Sequence, residues 1–596
     1  MSDPHAEYSK RLEACLKTIA SRERVHRRVG NAKLAIIVAG LVLTWLSLGK
    51  HLFPPTWLAV PVALYAVLAV LHEQVIRTRT RAETAASFYR KGLARMEDLW
   101  AGTGAPGERF RDAKHVYAED LDLFGRGCLF ELLSTARMPM GEERLAQWLL
   151  SPSPTGALVE RQALVTELRE KLDLREHLAV TGEDLRARLN PETLPDWAEG
   201  KPILPAPAWR GVAAFLAVGA TASLVYAVMT WSYAPLLIVL VLETILLSWL
   251  HRRAAAVVAG MTSNAEGLVL FSEILKRFEA EPFTSPRLRG FVEKLKGGAL
   301  PASRAIRRLA YAVYWADASE GLLAKILNLP LLYTVQVAFA LEAWRRQWGA
   351  QMRGWIDIAG EMEALLSLAS YSFEHPGDPF PEFAQGRDRE ALFDGEALGH
   401  PLIPAAQCVR NSVRLDKQTR VLLVSGSNMS GKSTLLRTVG INTILAMAGA
   451  PIRGKSLRLT PLAVGTRIRS TDSLQEGRSS FYTEILHIRQ VFDLRKAETP
   501  LLFMFDELLE GTNSKDRRIG AEGLIRALLN GGAIGIVSTH DLALTDITEP
   551  LGNAVHNVHF QDTVEGGKMQ FDYRLRDGVV AKSNALELMR LIGLDV

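Results

Sequence analysis

Four apolar runs, arranged as two close pairs, constrain this chain more than any other feature. Leu34–Leu48 (LAIIVAGLVLTWLSL) carries no charge and lies between Lys33 and Lys50; Trp57–Leu71 (WLAVPVALYAVLAVL) follows a Pro54-Pro55 turn. Val212–Trp231 and Ala234–Leu250 form the second pair, separated only by Ser232-Tyr233. Each approaches the ~20 residues that a helix needs to cross hydrocarbon, and Leu52, Phe53 and His72 extend the shorter ones. Trp45, Trp57, Trp209, Trp231, Tyr233 and Trp249 stand at or near the run ends, where interfacial aromatics are expected. The pattern predicts two transmembrane helical hairpins, the alternative being hairpins buried in a large soluble core.

Orientation follows from the basic residues. Arg22, Arg24, Arg27, Arg28 and Lys33 precede the first run, and Arg77, Arg79 and Arg81 follow the second. Arg210 precedes the third and Arg252-Arg253 follow the fourth, whereas the turns within the pairs hold only Lys50 and His51. The positive-inside rule then places both turns outside and the remainder in the cytoplasm, in a multi-pass protein of the cell (inner) membrane. Glu243 interrupts the fourth run. An acid at that depth is costly, and a place in the bundle interior, neutral or bonded to Ser or Thr, is expected. Ile326–Leu341 is also apolar but contains Asn328, Pro330, Thr334 and Gln336. A fifth span there would put everything after it outside, so a buried helix is expected instead.

The chain of 596 residues is too long for one core. Its net charge of +5 permits contact with nucleic acid or anionic lipid without requiring either. Cys15, Cys128 and Cys408 are too scattered for a disulfide framework or a metal site, which points to a reducing compartment. Residues 1–31 are polar and basic and lack the form of a cleavable signal peptide.

A second constraint lies in the last third. Arg420–Ser425 (RVLLVS) predicts a buried strand, and Gly426-Ser427-Asn428-Met429-Ser430-Gly431-Lys432-Ser433-Thr434 follows at once. This is G-x-x-x-x-G-K-[ST] with a strand before it and helix-forming residues after it. Its glycines let backbone N–H groups converge on phosphate at a helix N-terminus. Lys432 is expected to reach the β- and γ-phosphates of ATP, and Ser433 to bind Mg²⁺. Leu501–Phe505 predicts another buried strand, ending in Asp506-Glu507. Asp506 would hold Mg²⁺ through water and Glu507 would polarise the attacking water. A third strand, Ala533–Val537, leads to Ser538-Thr539-His540-Asp541, where His540 is placed to sense the γ-phosphate.

With Asn428 and Met429 inside it, the loop resembles that of the MutS mismatch-repair ATPases, relatives of the ABC ATPases. Gly477-Arg-Ser479-Ser480-Phe481-Tyr-Thr-Glu484 is similar to that family's signature segment, Asp506–Asn513 to its Walker B and Gly-Thr loop, and Ser538–Asp541 to its switch histidine. His400-Pro401 and Asn411 are similar to the entry of its ATPase domain, and Phe571–Gly578 through Leu586-Glu587 to the closing segment. Asp122–Pro152 resembles the start of its helical core. The resemblance implies a dimer in which Ser479 of each chain completes the partner's ATP site. It also implies an α/β P-loop ATPase domain at residues 390–596, after an all-α core at 73–208 and 252–389. Hairpins at 32–72 and 209–251 and a cytoplasmic segment at 1–31 complete the expected organisation.

The departures matter equally. No Phe-x-Glu wedge of a mismatch-reading domain occurs near the N-terminus, and the family's adenine-stacking aromatic falls at Cys408 or Val409. The last residues, Leu594-Asp595-Val596, stop before the family's C-terminal dimerisation helices, so other surfaces are expected to join the dimer. Double-stranded DNA is the partner implied by the resemblance, together with a lipid bilayer through four spans. Arg304, Arg307, Arg308, Arg345 and Arg346 are either its backbone contacts or a solvated helix face. Two functions remain open: a membrane-tethered, MutS-like ATPase acting on mismatched or structured DNA, and an ATP-driven machine acting on a protein partner without DNA.

Overall fold

The computed structural model describes residues 3–580 except 51, 183–184, 186–187, 190, 260, 262–264, 319–327, 329, 385–389, 428, 469–479, 511 and 566–567. A mostly helical N-terminal region precedes an α/β region, and the chain divides into two compact units. One comprises residues 1–93, 136–141 and 171–363; the other comprises 94–135, 142–170 and 364–596.

In the first unit, the basic N-terminal stretch and the first apolar run form one continuous helix, α1 (Pro4–Thr44), which starts on an Asp3 cap with Pro at its first turn. It returns as α2 (Ala59–Met96). The antiparallel register is set by specific contacts: Tyr8 against Phe88 and Tyr89, His26 Nδ1 2.8 Å from His72 Nε2, and Lys33 4.9 Å above the Tyr65 ring. Arg11 ties α1 to α2 through the Tyr89 hydroxyl at 3.4 Å and to the neighbouring helix through Asp173 at 2.5 Å. The second hairpin is α3 (Ala208–Thr230) and α4 (Ala234–Ala259), turned at Trp231 in a left-handed conformation (φ 59°). Trp209 meets Trp249 at 4.8 Å between ring centroids.

All four helices are long and apolar enough to cross a membrane. Their most apolar windows are only 6%, 6%, 22% and 17% buried, so the alternative of hairpins enclosed in a soluble core is not what the structure shows. Glu243 is buried within the second hairpin, yet neither oxygen has a hydrogen-bond partner among the described residues. The expected Ser or Thr partner is missing because Thr244 and Ser223 bond to their own helix carbonyls.

Below the hairpins, α5 (Ala265–Ala280), α6 (Ala302–Ala318) and α7 (Tyr333–Trp348) pack as a helical layer. The buried Glu279 carboxylate accepts from Ser303 N at 2.8 Å and Ser303 Oγ at 2.6 Å, satisfying one amide at the positive end of α6. α7 packs along α4; it covers the C-terminal half of the Ile326–Leu341 stretch and buries Val335, Ala338 and Leu341. Several arginines considered for DNA are occupied here. Arg345 is buried on Glu342 at 3.1 Å and lies 5.2 Å over Trp197. Arg346 bonds to the Leu204 carbonyl, and Arg308 lies over Trp348. Packing between helices replaces a solvated face for Arg345 alone; Arg308 and Arg346 stay exposed.

The second unit is built on two sheets. A four-stranded sheet has the order β1 (Glu382–Phe383), β5 (Ser456–Leu459), β2 (Phe393–Leu398), β3 (Asn411–Leu415). The six-stranded sheet runs β10 (Lys568–Asp577), β9 (Val555–Glu565), β4 (Val421–Ser425), β8 (Ile534–Thr539), β7 (Leu501–Phe505), β6 (Ala463–Arg467). All neighbours in it are parallel except β9–β10. β4, β7 and β8 are buried along their whole length because helices cover both faces, which explains their uninterrupted apolar sequences. α8 (Lys432–Ala448) packs against strands β6, β7 and β8, while Ile488 and Val491 of α9 (Ser480–Asp493) and Ile525 of α10 (Ser514–Asn530) join one core cluster with β4, β7 and β8. The early segment belongs to this unit: Asp120 accepts from Thr466 Oγ1 at 2.8 Å and Ile468 N at 2.9 Å, and Asp122 pairs with Arg437. Arg95 and Glu374 form a buried pair, with Arg95 Nε 2.6 Å from Oε2.

Burial, aided by the nearby Arg437 guanidinium, pushes the His400 imidazole down from 6.5 to about 4. The unfolded chain therefore binds more protons than the folded one between those values, and stability held above pH 6.5 is lost as the pH falls towards 4. His115, His375 and His487, also pushed down by burial, act in the same direction. Moving from neutral pH to about pH 5 should cost this unit about 2 kcal/mol through His400 alone, and urea unfolding of His400→Gln should show a shallower pH dependence.

Candidate functional site

The register of the six-stranded sheet assembles the site. Ser425 pairs with Thr539 and Phe505 with Val537, so β4, β8 and β7 end side by side. The residues after these ends are Gly426, His540 and Asp506-Glu507. Separate stretches of sequence thus meet at the carboxyl edge of a parallel sheet, where ligands collect in open α/β folds.

The loop after β4 is tight. Gly426 has φ 151° and Gly431 φ 107°, a conformation that an L side chain adopts only with strain. A Cβ on Gly426 would approach the Phe560 carbonyl oxygen at 3.1 Å. Gly431 caps α8, whose 17 residues leave their first amides pointing into the loop. The Lys432 ammonium folds back onto the carbonyls of Gly426 and Ser427, both at 2.9 Å, and stands 3.4 Å from Glu507 Oε1. The hydroxyls of Ser427 and Ser430 are buried without a hydrogen-bond partner among the described residues. Ser433 is half-buried at the start of α8, and Thr434 and Met429 are exposed. Asn428 and Ser479 lie outside the described residues.

Opposite the loop, Ser538 bridges both acids: its Oγ donates to Asp506 Oδ1 and accepts from the Glu507 amide at 3.1 Å. Glu507 is held in the left-handed region (φ 51°), and its Oε2 lies 2.5 Å from His540 Nδ1. Glu507 therefore contacts Lys432 through one oxygen and His540 through the other. Glu484, its carboxyl pushed up by burial, accepts from Leu509 N at 3.1 Å and anchors α9 to the segment after Glu507.

One neighbour was not anticipated. Cys408 and Val409 offer no aromatic; Cys408 Sγ accepts from His400 N at 3.3 Å. Instead the Tyr573 ring borders the loop, 3.2 Å from where a Gly431 Cβ would stand, and the side chain is 43% exposed. Tyr573 sits in a register shift of the β9–β10 pair with φ 54°. Asn411 fixes that kink, donating to the Tyr573 carbonyl and accepting from Leu575 N, each at 2.9 Å. The signal lies in Phe571-Asp572-Tyr573, but only strand pairing brings it back to the loop.

The whole arrangement lies in a region with known relatives. Residues 422–595 match the family model of MutS domain V. The C-terminal part of this chain is MutS-like. The DNA mismatch repair protein MutS of Streptococcus uberis is 30% identical over 216 residues, 36% of this chain and 25% of the relative. Those of Lactococcus lactis subsp. cremoris and Streptococcus pyogenes serotype M5 are 29% identical over 257 residues and 33% over 201 residues. They cover 43% and 33% of this chain, against 30% and 23% of their own length. The chain thus spans less than a third of the length of these MutS relatives, and the likeness is carried by the C-terminal part.

Ser538→Ala would leave the Glu507 amide and the Asp506 carboxylate without their shared partner. Urea unfolding should show a loss of about 1–3 kcal/mol in this unit, against little change for the exposed Thr434→Ala.

Proposed function

We propose that the Gly426–Thr434 loop is a P-loop and that the protein is a Mg²⁺-dependent ATPase, dimeric through its ATPase faces. The observation that carries this reading is the convergence of Lys432, Asp506, Glu507 and His540 at one sheet edge. The loop fits a phosphate chain: two buried hydroxyls lack partners, α8 directs its amides inward, and Lys432 lies between loop carbonyls and Glu507. Phosphate oxygens would draw the Lys432 ammonium from those carbonyls and free Glu507 to polarise water, with His540 holding the carboxylate. Ser433 and Asp506 would hold Mg²⁺, which supplies charge neutralisation on the transferred phosphoryl. The Tyr573 ring would stack on the base. Ser479 would complete the partner's site.

The mismatch-repair relatives support a mismatch-repair-like role, and binding of mismatched or branched duplex is proposed on that basis. The hairpins would anchor the chain in the cell membrane with the ATPase domain in the cytoplasm, since little of their apolar windows is buried. A second reading keeps the ATPase and drops the DNA. It is favoured by Arg345, whose guanidinium is buried on Glu342 within the helical layer.

Lys432→Ala should abolish ATP binding, whereas Glu507→Gln should bind ATP and turn it over at least about 100-fold more slowly. Normal turnover in either variant contradicts the assigned roles. For the load, ATPase rate and DNA retention of the detergent-purified chain should both rise with heteroduplex and fall steeply with added salt. No retention at low salt, with a rate indifferent to DNA, leaves the second reading.

A further inference from the structure

A cavity of about 700 Å³ lies in the helical unit between α2, α5 and α6, remote in sequence from every residue discussed for ATP. Its volume falls in the range of small-molecule sites. The walls are mixed. Ile76, Leu270 and Tyr314 supply apolar surface, while Arg81, Arg307 and Glu273 supply charge. Two further ion pairs in the lining are internally satisfied: Arg77 reaches Glu73 at 2.8 Å, and Arg188 pairs with Glu266. Arg81, Arg307 and Glu273, by contrast, have no ion-pair partner among the described residues. Two cations and one anion are thus left over in one partly apolar recess.

The position of the recess selects its occupant. On α2 the lining begins at Glu73, immediately after the apolar run that ends at Leu71. At 1.5 Å per residue, Ile76 lies about 8 Å and Arg81 about 15 Å beyond Leu71 along the helix. Helical side chains lean towards the N-terminus, so the Arg81 guanidinium is directed back towards the apolar run. Tyr311 and Tyr314 on α6 are 65% and 60% exposed, and the neighbouring Trp315 carbonyl is held by the Tyr333 hydroxyl at 2.7 Å. Exposed aromatics beside basic residues at the end of a span belong to the water–lipid boundary.

We propose that this cavity holds one phospholipid of the cytoplasmic leaflet whose headgroup carries both a phosphate and a primary ammonium. The phosphate sits on Arg81 and Arg307, and the ammonium donates to Glu273. The glycerol and upper acyl chains lie on Ile76, Leu270 and Tyr314. A purely anionic headgroup leaves Glu273 opposed, and a trimethylated one has no N–H to give it. This site rests on the membrane reading of the hairpins.

The test uses the full chain in nanodiscs of phosphatidylethanolamine and phosphatidylcholine in equal parts, extracted with detergent, with retained lipid counted by native mass spectrometry. Phosphatidylethanolamine should be retained selectively. Arg81→Gln with Arg307→Gln should lower that retention about tenfold, ~1.4 kcal/mol. Glu273→Gln, which tests the site should the double variant misfold, should abolish the preference over phosphatidylcholine. Arg252→Gln with Arg253→Gln, outside the cavity, should change neither. Equal retention of both lipids by the wild type, unchanged retention in the double variant, or displacement by inorganic phosphate overturns the proposal. Carbonate washing of membranes separates the two readings. A chain released by it removes the membrane premise, whereas a chain that stays while the variants retain lipid like wild type defeats the lipid site alone.

Discussion

The alignment of three parallel strand ends is the constraint on which the candidate site depends. Because β8 lies between β4 and β7 with a fixed register, Ser425, Thr539 and Phe505 finish together, and whatever follows them must meet. A slip of one residue in either pair would turn alternate side chains to the other face and separate Glu507 from Lys432. Burial on both faces prevents that slip, since every residue of the three strands is enclosed. Ser538 then converts strand register into side-chain geometry by holding Asp506 through its carboxylate and Glu507 through its amide.

The parts of this arrangement visible in the sequence were those set by local chemistry. A short apolar run, a glycine-spaced loop and a capped helix announce themselves because each depends on its own residues. The two acids after Phe505 and the histidine after Thr539 were legible for the same reason. Tyr573 was not. Its place beside Gly431 depends on an antiparallel return and a register shift pinned by Asn411, which lies more than 160 residues earlier and belongs to the other sheet. Non-local pairing of that kind leaves no periodicity to read.

The helical unit teaches the complementary lesson. The apolar runs marked four helices, but their polar continuations carried no such mark, and α1 and α2 extend well past them. Likewise a cluster of arginines was ambiguous in one dimension. Arg345 became a buried partner of Glu342 beneath Trp197, whereas Arg307, three residues after Arg304 on α6, faces an open recess. Composition gave the charge; only packing against neighbouring helices decided which guanidinium groups were spent internally.

The unbroken course of α1 has a mechanical consequence. Its 41 residues make a rod about 60 Å long, fixed near one end by the Arg11 ion pairs and the Tyr8–Phe88–Tyr89 cluster. Backed by α2 along its length, such a rod bends little and pivots instead. A tilt of only about 5° at the base sweeps the far tip sideways by about 5 Å, roughly the width of a lipid chain. Motion too small to register at the anchoring residues would thus be delivered, magnified, to the far tip of the hairpin.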